Sequence, residues 1–544
     1  MSTPMKGTMQ DFPLTLPMIF RRMMRFAPDK MVVTAGPGGP WRHPWGQIGE
    51  RTLRLCNALR KLGVQEGDHV GTFAWNTHRH LEVYFAVPCM GSVLHPLNIR
   101  LFPEQVAYIA NHAEDKVVFV DASLTKVLAP IKDQLRTVKH FVVMHDTDDV
   151  DPEFADCPNY EDLIAAEDAD FTFPEIDERS AASMCYTSGT TGNPKGVVYE
   201  HRSMMLHTMA AMMVDALAIC ERDTVLPVVP MFHVGCWSLP YACAYSGANL
   251  VLPGSQMGQP QVIAELIQQE KVTLAGGVPT IWVGIEPLLD QYDFSSLRAI
   301  LSGGSAVPEG LIRRFAAKGV PIVHAWGMTE MSPIGSIFRL RSDVADASDD
   351  ERFALNARQG IAVPGVEMRI TDEEGHELPW DGEAVGEIEV RGPWIIEQYY
   401  NPDDDSNAAK FRDGWLRTGD VACIDRRGYI KITDRVKDLV KSGGEWISTV
   451  ELEGLLMAHP SVLEAAVVAV PHPKWDERPL ALVVKRPDKD VTHDELIEFL
   501  ATKVAKWWLP DAIEFVPDIP KTSVGKFDKK VIREKYRDYS LPTA

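Results

Sequence analysis

The segment Thr187-Ser188-Gly189-Thr190-Thr191-Gly192-Asn193-Pro194-Lys195-Gly196 is the most informative stretch of this 544-residue chain. Its glycines let backbone N–H groups turn inward around anionic oxygens, and its hydroxyl groups and Lys195 add donors or a ligand for Mg²⁺. Apolar residues precede it (Met184-Cys185-Tyr186) and follow it (Val197-Val198-Tyr199). They predict a strand–loop–strand hairpin, unlike a Walker loop, whose lysine opens a helix. A flexible surface loop is the alternative, but the closing Pro-Lys-Gly favours polyphosphate binding.

The composition limits the compartment and the partners. A chain of this length predicts two to four domains. The net charge of −21 argues against nucleic acid or an anionic membrane as a partner. The eight cysteines form no C-x-x-C pair and no zinc spacing, which favours a reducing cytoplasm. With neither a signal pattern nor an apolar run of membrane-spanning length, we expect a soluble, cytoplasmic protein.

The first 340 residues alternate short apolar segments with helical ones. Examples are a strand at 69–74, an amphipathic helix at 79–90 and a strand at 117–120. This alternation predicts βα units and parallel sheets. Between about residues 360 and 432, short strands separated by turns such as Asp372-Glu373-Glu374-Gly375 predict a β-rich subdomain.

The chain beyond about residue 438 predicts a compact α+β module. Two capping boxes, Ser448…Glu451 and Thr492…Glu495, mark helix starts. Strands are predicted at 464–470, 480–485 and 512–516. No Gly/Pro-rich linker separates this module from the preceding region, so a hinge between them would consist of very few residues. The predicted class is therefore α/β, with a large N-terminal region and a small α+β domain at the C-terminus.

Four further motifs follow the first one. In chain order they are Trp326-Gly327-Met328-Thr329-Glu330, Trp415-Leu416-Arg417-Thr418-Gly419-Asp420, Asp434-Arg435-Val436-Lys437-Asp438-Leu439-Val440-Lys441-Ser442-Gly443-Gly444-Glu445-Trp446 and Pro520-Lys521-Thr522-Ser523-Val524-Gly525-Lys526. Alone, each has an ordinary alternative: a solvated Glu at a strand end, a surface Asp in a turn, a charged face, or a C-terminal tail. Together they resemble the motifs of the adenylate-forming superfamily over residues 15–540. The pattern is most similar to medium- and long-chain fatty acyl-CoA synthetases, including 3-methylmercaptopropionate ligases.

The resemblance implies an ATP- and Mg²⁺-binding site. Thr187 and Glu330 would be the metal ligands, and Lys195 would neutralise the polyphosphate. The nucleotide would be bound by Thr187, Ser188, Gly189, Thr190, Thr191, Gly192, Lys195, Gly304, Ser305, His324, Ala325, Trp326, Gly327, Thr329, Asp420, Arg435 and Lys526.

The resemblance also implies a mobile C-terminal domain that serves a second, CoA-dependent step. It places an N-terminal domain at 1–434, a hinge at 435–437 with Lys437 as the pivot, and a C-terminal domain at 438–544. Lys526 would bridge the substrate carboxylate and the α-phosphate. The thioester step would use Lys441, Gly443, Gly444 and Trp446. Several relatives are dimers, so a homodimer through the N-terminal domain is expected.

The acyl pocket is predicted to begin at Met231-Phe232-His233-Val234-Gly235-Cys236-Trp237. Its lining is predicted to comprise His233, Val234, Gly235, Trp237, Gly277, Gly303, Gly304 and Gly327. It offers no Asp for an α-ammonium and no Arg for a second carboxylate, which favours an aliphatic monocarboxylate. His233 has the alternative of a buried core histidine. Relatives usually carry Asn-Ala where this chain has Gly235-Cys236, beside a tryptophan that can gate the acyl tunnel, so gating is not carried over.

The predicted function is an acyl-CoA synthetase that forms acyl-AMP and then acyl-CoA, releasing pyrophosphate and AMP. The predicted catalytic residues are Lys526, Lys441, Glu330, Lys195 and His233. Trp237 and Trp282 are expected to close the acyl pocket, which favours short and medium chains or 3-methylmercaptopropionate. A long-chain synthetase, an acyl-AMP ligase that delivers to a carrier protein, and an ATP-binding module without ligase activity are the alternatives.

Overall fold

The computed structural model describes residues 5, 7–36, 38–144, 149–187, 193–402, 406–435, 438–442, 445–522 and 526–543. Its strands are β1 (Met31–Thr34), β2 (Trp41–Pro44), β3 (His69–Phe73), β4 (Val93–Pro96), β5 (Val117–Asp121), β6 (His140–Met144), β7 (Ala181–Tyr186), β8 (Gly196–Glu200), β9 (Thr224–Pro227), β10 (Asn249–Leu252), β11 (Leu274–Gly277), β12 (Ala299–Gly303), β13 (Ile322–Gly327), β14 (Ile334–Ile337), β15 (Ile361–Ala362), β16 (Glu367–Thr371), β17 (Gly386–Arg391), β18 (Phe411–Arg412), β19 (Trp415–Ile424), β20 (Ile430–Arg435), β21 (Val440–Ser442), β22 (Glu445–Ile447), β23 (Val462–His472), β24 (Asp476–Lys485) and β25 (Ala512–Phe515).

Helices alternate with these strands along most of the chain. They are α1 (Leu16–Phe26), α2 (Trp45–Lys61), α3 (His78–Cys89), α4 (Pro103–His112), α5 (Thr125–Leu128), α6 (Tyr160–Ala165), α7 (His201–Met212), α8 (Leu239–Ser246), α9 (Pro260–Gln269), α10 (Pro279–Ile285), α11 (Glu309–Ala316), α12 (Asp349–Asn356), α13 (Ser406–Lys410), α14 (Thr449–Met457), α15 (His493–Ala501) and α16 (Lys529–Lys535). In the described part of the chain, no helix is long and apolar enough to cross a membrane.

Two large sheets form the first part of the molecule. One has the order β6-β5-β3-β4-β7-β8, and the other β15-β14-β13-β12-β11-β9-β10-β1-β2. Their central strands are parallel, and antiparallel pairs occur only toward the edges. Strand β5 is almost entirely buried, as expected for a parallel strand covered on both faces by helices. The α/β prediction is confirmed.

Two smaller sheets follow. An antiparallel sheet of β16, β17, β19, β18 and β20 forms the predicted β-rich subdomain, and a sheet of β22, β21, β24, β23 and β25 forms the C-terminal α+β part. Thr492 and Glu495 form a complete capping box at α15, and Ser448 caps α14 by accepting a hydrogen bond from the N–H of Glu451. The predicted strands are present, with β23 and β24 extending beyond the predicted bounds.

One local prediction differs from the structure, and one motif lies partly within a strand. Helix α3 is buried along all twelve residues and is not amphipathic. Its charged residues mislead a periodicity analysis because they are paired inside: Arg79 and Glu82 form ion pairs with Glu161 and Arg51 at 2.6 and 2.7 Å. Strand β13 runs through Gly327, so the tryptophan of the motif at 326–330 lies within the strand and not after it.

Candidate active site

A cavity of about 380 Å³ lies at the carboxyl ends of β9, β11, β12 and β13, beside the hairpin of β7 and β8. Carboxyl ends of parallel strands are the usual ligand site of open α/β sheets. The hairpin itself is confirmed, because β7 and β8 pair antiparallel with Tyr186 opposite Gly196. The cavity is lined by Thr187, Lys195, Val229, Pro230, His233, Val234, Trp237, Val278, Leu301, Gly303, Gly304, Ala325, Trp326, Gly327, Met328, Thr329, Glu330, Pro333, Ile334, Tyr399, Lys410, Thr418, Gly419, Arg435 and Lys526.

Asp420 connects three elements at one edge of this cavity. Its Oδ2 accepts a hydrogen bond from Trp326 Nε1 at 2.9 Å, and its Oδ1 lies 3.0 Å from Arg435 Nε. Asp420 and Arg435 are register partners in β19 and β20. The Asp420 carboxylate raises the pKa of the Arg435 guanidinium. Asp420 is not among the lining residues, but its carboxylate contacts two side chains that are, Trp326 and Arg435.

Glu330 and Lys195 meet at Tyr399. The Tyr399 hydroxyl donates to Glu330 Oε1 at 2.6 Å, and Lys195 Nζ lies 5.6 Å from the centre of the Tyr399 ring. Thr187 faces the same region, and its Oγ1 accepts a hydrogen bond from the backbone N–H of Lys195 at 3.2 Å. Glu330 and Lys195 therefore lie near the same tyrosine, and the Thr187 hydroxyl lines the same cavity.

Lys526 enters the cavity from the C-terminal part of the chain. A Cβ on Gly304 would lie 3.5 Å from Lys526 Cε, which places the lysine side chain directly beside this glycine. Burial and the nearby Arg435 lower the pKa of Lys526 to about 8, against the opposing effect of Asp420 and Glu330. Thr522 is joined to Lys526 by two hydrogen bonds: its N–H donates to the Lys526 carbonyl at 2.6 Å, and its Oγ1 accepts from the Lys526 N–H at 3.2 Å.

The apolar end of the cavity is formed by a left-handed turn at residues 234–238. Five consecutive residues have φ values between +39° and +59°, although only one is glycine. A left-handed conformation costs roughly 1–2 kcal/mol for each L-residue. The turn presents Trp237 to the cavity, and a Cβ on Gly276 would lie 3.9 Å from its ring and 3.2 Å from Leu239 Cδ1. Gly276 therefore lies behind the indole, and its closest neighbour there is Leu239.

Side chains outside the cavity hold this turn. Cys236 is fully buried, and its thiol donates to the Val229 carbonyl at 3.1 Å. His207 Nε2 accepts from the N–H of Ile334 at 3.1 Å, so its Nδ1 carries the proton and donates to Ser238 Oγ at 2.9 Å. Burial lowers the pKa of His207 to about 3, which keeps this neutral tautomer.

His233 lines the cavity as a neutral imidazole. Its pKa is lowered to about 3 by burial and, to a smaller extent, by Lys526 and Arg100. His233 is only partly buried, and it borders the cavity.

Several predicted residues do not line the cavity. Gly277 packs behind the wall, where a Cβ would lie 2.9 Å from the ring of Trp282, and Trp282 is itself fully buried in the core and does not close the pocket. His324 is turned toward the Ala357 carbonyl, 3.1 Å from its Nδ1, and burial lowers its pKa to about 4. Gly235 and Ser305 are also absent from the lining.

The residues predicted for the CoA step lie apart from the cavity. Lys441 is exposed on β21, and its backbone N–H donates to Glu477 Oε2 at 2.9 Å. Trp446 is its register partner in β22. The remaining predicted site residues lie outside the described residues: Ser188, Gly189, Thr190, Thr191, Gly192, Lys437, Gly443 and Gly444.

Sequence reasoning missed Tyr399 and Lys410. Lys410 Nζ donates to the carbonyls of Arg417 and Thr418 at 2.8 and 3.0 Å, and burial lowers its pKa. Neither residue belongs to a recognisable motif, because each reaches the cavity from the segment that joins β17 to β19. Pro333 and Ile334 were also missed, because they lie just beyond the motif at 326–330. The aromatic pair Tyr399-Tyr400 was the one available signal.

The chain resembles known proteins along nearly its whole length. Family models match residues 20–400 as AMP-binding enzyme and residues 451–526 as AMP-binding enzyme C-terminal domain. A long-chain-fatty-acid–CoA ligase from Thermus thermophilus is 47% identical, with 98% of this chain and 97% of that protein covered. A medium-chain-fatty-acid–CoA ligase from Ectopseudomonas oleovorans (99% and 98% covered) and a 3-methylmercaptopropionyl-CoA ligase from Ruegeria lacuscaerulensis (98% and 99% covered) are both 44% identical. The crystal structure of the anthranilate CoA ligase AuaEII with anthranoyl-AMP superposes with a TM-score of 0.86 at 26% identity, covering 97% of this chain and 99% of that one.

Proposed function

This chain belongs to the AMP-binding enzyme family and is an ATP-dependent carboxylate–CoA ligase, and we propose which of its residues carry out the two half-reactions. In the first, a carboxylic acid and ATP give acyl-AMP and pyrophosphate. In the second, the CoA thiol attacks the acyl-AMP carbonyl, which gives acyl-CoA and AMP. Its relatives are named CoA ligases, which favours CoA over a carrier protein as acceptor.

Adenylation depends on Lys526. Its position beside Gly304, within the field of Arg435, Asp420 and Glu330, is the observation that carries this proposal. The ammonium group holds the substrate carboxylate against the α-phosphate, so that the carboxylate oxygen attacks in line and the P–O bond to pyrophosphate breaks. Phosphoryl-type transfer needs mainly positioning and charge stabilisation. Neutral His233 contributes a hydrogen bond to the carboxylate.

Nucleotide binding is assigned to the opposite walls of the cavity. Adenine is proposed to lie between the segments at 303–305 and 324–327, with ribose near Asp420 and Arg435. Lys195, Thr187 and the rest of the loop bind the polyphosphate. Glu330 and Thr187 would hold Mg²⁺, since a carboxylate and a hydroxyl at one side of the cavity are the hard oxygen donors this ion prefers. Bound there, the ion would neutralise charge on the leaving pyrophosphate.

The thioester step is proposed to follow a rotation of the C-terminal domain (438–544) relative to the N-terminal domain (1–434) about a hinge at 435–437. Rotation withdraws Lys526 and brings Lys441, Gly443, Gly444 and Trp446 toward the acyl-adenylate. Hinge closure of this kind is a common switch. The placement of Lys526 inside the cavity and Lys441 outside it supports the adenylation state as the one described.

The proposed substrate is a short- or medium-chain aliphatic monocarboxylate or 3-methylmercaptopropionate. Apart from His233, the described lining at the 234–238 turn and its neighbours is apolar, and Trp237 occupies its end. The name of one relative specifies a long-chain acid, so a long-chain synthetase is the second candidate.

The substrate proposal is tested with a panel of C3 to C16 acids plus 3-methylmercaptopropionate, read as kcat/KM. We expect a maximum at or below medium length, and Trp237→Ala should move it to longer acids. Because one methylene in a pocket is worth about 1–3 kcal/mol, the ratio of long to short acids should change at least about tenfold. Highest activity of the unmodified enzyme on C16 would favour the second candidate.

We also propose that the protein is cytoplasmic and that it forms a homodimer. All eight cysteines are free thiols, which supports a reducing compartment. Sedimentation velocity of the enzyme tests the dimer, and a monomer at micromolar concentration would contradict it.

A further inference from the structure

Residues 399–401, here called the bridging segment, contact both the phosphate hairpin (β7, β8 and the loop between them) and Glu330. The N–H of Tyr400 donates to the Gly196 carbonyl at 2.9 Å, and the two residues form an isolated antiparallel bridge. Gly196 closes the loop and faces Tyr186 across the hairpin. A Cβ on Gly196 would lie 3.1 Å from Tyr400 Cβ and 3.2 Å from Tyr186 Cζ, so the segment is packed closely against the hairpin.

His112, the last residue of α4, contacts both the phosphate hairpin and the bridging segment. Its Nε2 lies 2.9 Å from the carbonyl oxygen of Asn401, and its Nδ1 lies 2.6 Å from the Tyr186 hydroxyl. A carbonyl only accepts, so Nε2 carries the proton, and Nδ1 of the neutral ring accepts from Tyr186. One imidazole therefore links the first strand of the hairpin to the bridging segment.

Tyr399 brings the same segment to Glu330. Its side chain is almost fully buried, and its hydroxyl donates to Glu330 Oε1 at 2.6 Å. Its own backbone N–H donates to Asn407 Oδ1 at 2.9 Å, which fixes the start of the segment. A short bond to an ionised carboxylate is among the stronger hydrogen bonds in proteins and limits rotation of the carboxylate.

We propose that Tyr399 is a positioning residue for adenylation: its hydroxyl orients the Glu330 carboxylate, while the chain Tyr186–His112–Asn401 holds the bridging segment against the phosphate hairpin. The hairpin and Glu330 are thereby kept in fixed relation, although they lie on different sheets. This inference rests on the proposed role of Glu330 as a ligand of Mg²⁺.

Tyr399→Phe tests it, because only the hydroxyl is removed. Titration calorimetry of the full-length enzyme would measure the Kd for ATP with Mg²⁺ and, separately, with EDTA. We expect the Kd with Mg²⁺ to rise about tenfold, as for loss of one hydrogen bond to a charged group, and the Kd with EDTA to stay unchanged. Pyrophosphate release should slow, and thioester formation from preformed acyl-AMP should not. An equal change with and without Mg²⁺, or no change, would overturn the proposal.

Tyr429→Phe is the matched control. Its hydroxyl is also buried, donating to the Arg339 carbonyl at 2.8 Å and accepting from the N–H of Arg341 at 3.1 Å, and it does not line the cavity. We expect this variant to bind ATP with Mg²⁺ like the unmodified enzyme. The same weakening as in Tyr399→Phe would assign the effect to general loosening and refute the positioning role.

Glu330→Gln separates the inference from the function on which it rests. If Glu330→Gln leaves the Mg²⁺ dependence of ATP binding unchanged, the metal-ligand assignment fails and the inference fails with it. If Glu330→Gln weakens that dependence but Tyr399→Phe does not, only the inference fails. In the Glu330→Gln background, Tyr399→Phe should add little, because the two residues act as one unit.

His112 provides an independent arm of the test. His112→Ala should raise the Kd for ATP with Mg²⁺ in the same direction as Tyr399→Phe. His112→Gln, whose amide can still donate to the Asn401 carbonyl, should restore most of the binding. Unchanged binding in His112→Ala would remove His112 from the proposal.

Discussion

At the scale of single residues, the cavity contains a partly buried cation, Lys526. Lys526 lies within the cavity, and burial together with Arg435 outweighs the attraction of Asp420 and Glu330. A nearby anion favours the charged form of a lysine, so we expect a bound anionic substrate to raise this lowered pKa.

Lys526→Ala should abolish adenylation and spare the second half-reaction. Loss of one electrostatic stabiliser costs on the order of 10²–10³ in rate. Rapid-quench measurement of acyl-AMP, and of acyl-CoA formed from preformed acyl-AMP, separates the two steps. Lys521→Ala is the control, because Lys521 pairs instead with Glu464 at 2.9 Å. Normal acyl-AMP formation by Lys526→Ala would refute the assignment.

The pH profile of adenylation should report Lys526. Its pKa is lowered to about 8, so the required ammonium form predominates below that pH and is lost above it. We expect kcat/KM for pyrophosphate release to fall as pH rises through about 8, since this parameter reports the free enzyme. Lys526→Arg should move the fall to higher pH, because a guanidinium stays protonated. A profile of Lys526→Arg that coincides with that of the unmodified enzyme would assign the titration to another group.

At the scale of elements, α14 connects the two parts of the chain. The N–H of Thr449 donates to Asp434 Oδ2 at 2.7 Å, which joins the start of the helix to the end of β20. Glu453, one turn further on, pairs with Lys529 of α16 at 2.8 Å and accepts from the N–H of Val467 at 2.8 Å. The Glu453 carboxyl group is buried, so the free energy of folding depends on these partners, which offset the cost of burying it.

Lys529→Met should locally destabilise α14 and β23. Removing one member of a buried ion pair leaves an uncompensated charge and costs about 3–5 kcal/mol. Hydrogen exchange, read as the free energy of opening of these two elements, should show the loss. The double variant Lys529→Met/Glu453→Met should recover most of it, because no unpaired charge remains. A double variant less stable than the single one would contradict this explanation.

At the scale of the whole molecule, the N- and C-terminal regions touch through contacts that the proposed rotation must break. Lys431 and Glu451 pair at 3.0 Å, and Glu286 and Arg486 lie 3.6 Å apart. These pairs are partly exposed, and exposed pairs contribute little to stability. Breaking these two pairs in the proposed rotation would therefore cost little.

Lys437→Pro should permit acyl-AMP formation and stall thioester formation. Proline fixes φ near −65° and removes the backbone N–H, so a pivot residue would be trapped in one state. Single-turnover reactions with and without CoA measure the two steps, and Lys437→Ala, which keeps backbone freedom, is the control. Lys441→Ala should slow only the second step, through loss of a charge. Equal loss of both half-reactions in Lys437→Pro would place the pivot elsewhere.

Much of this protein could be read from its sequence. The hairpin around residues 187–195 was predictable because glycine, hydroxyl and lysine side chains at that spacing leave few other structures, and the parallel sheets because continuous apolar strands alternate with helices. The resemblance of the motifs to those of the adenylate-forming superfamily predicted ATP, a carboxylic acid and CoA as the substrates. Each of these signals is local, so it can be recognised within a short segment of the sequence.

Other features were decided by tertiary structure alone. Tyr399 and Lys410 reach the cavity from a segment with no motif. Gly277 and His324 do not line the cavity, although the residues that follow them do. The Asp420 carboxylate contacts Trp326 and Arg435. The charged residues of α3 suggested an exposed helix face, but they form ion pairs within the protein. The contacts of Tyr399 with Glu330, of His324 with Ala357 and of Asp420 with Trp326 join residues far apart in the chain. Sequence spacing specifies periodicity and local turns, but only packing determines which of those side chains meet.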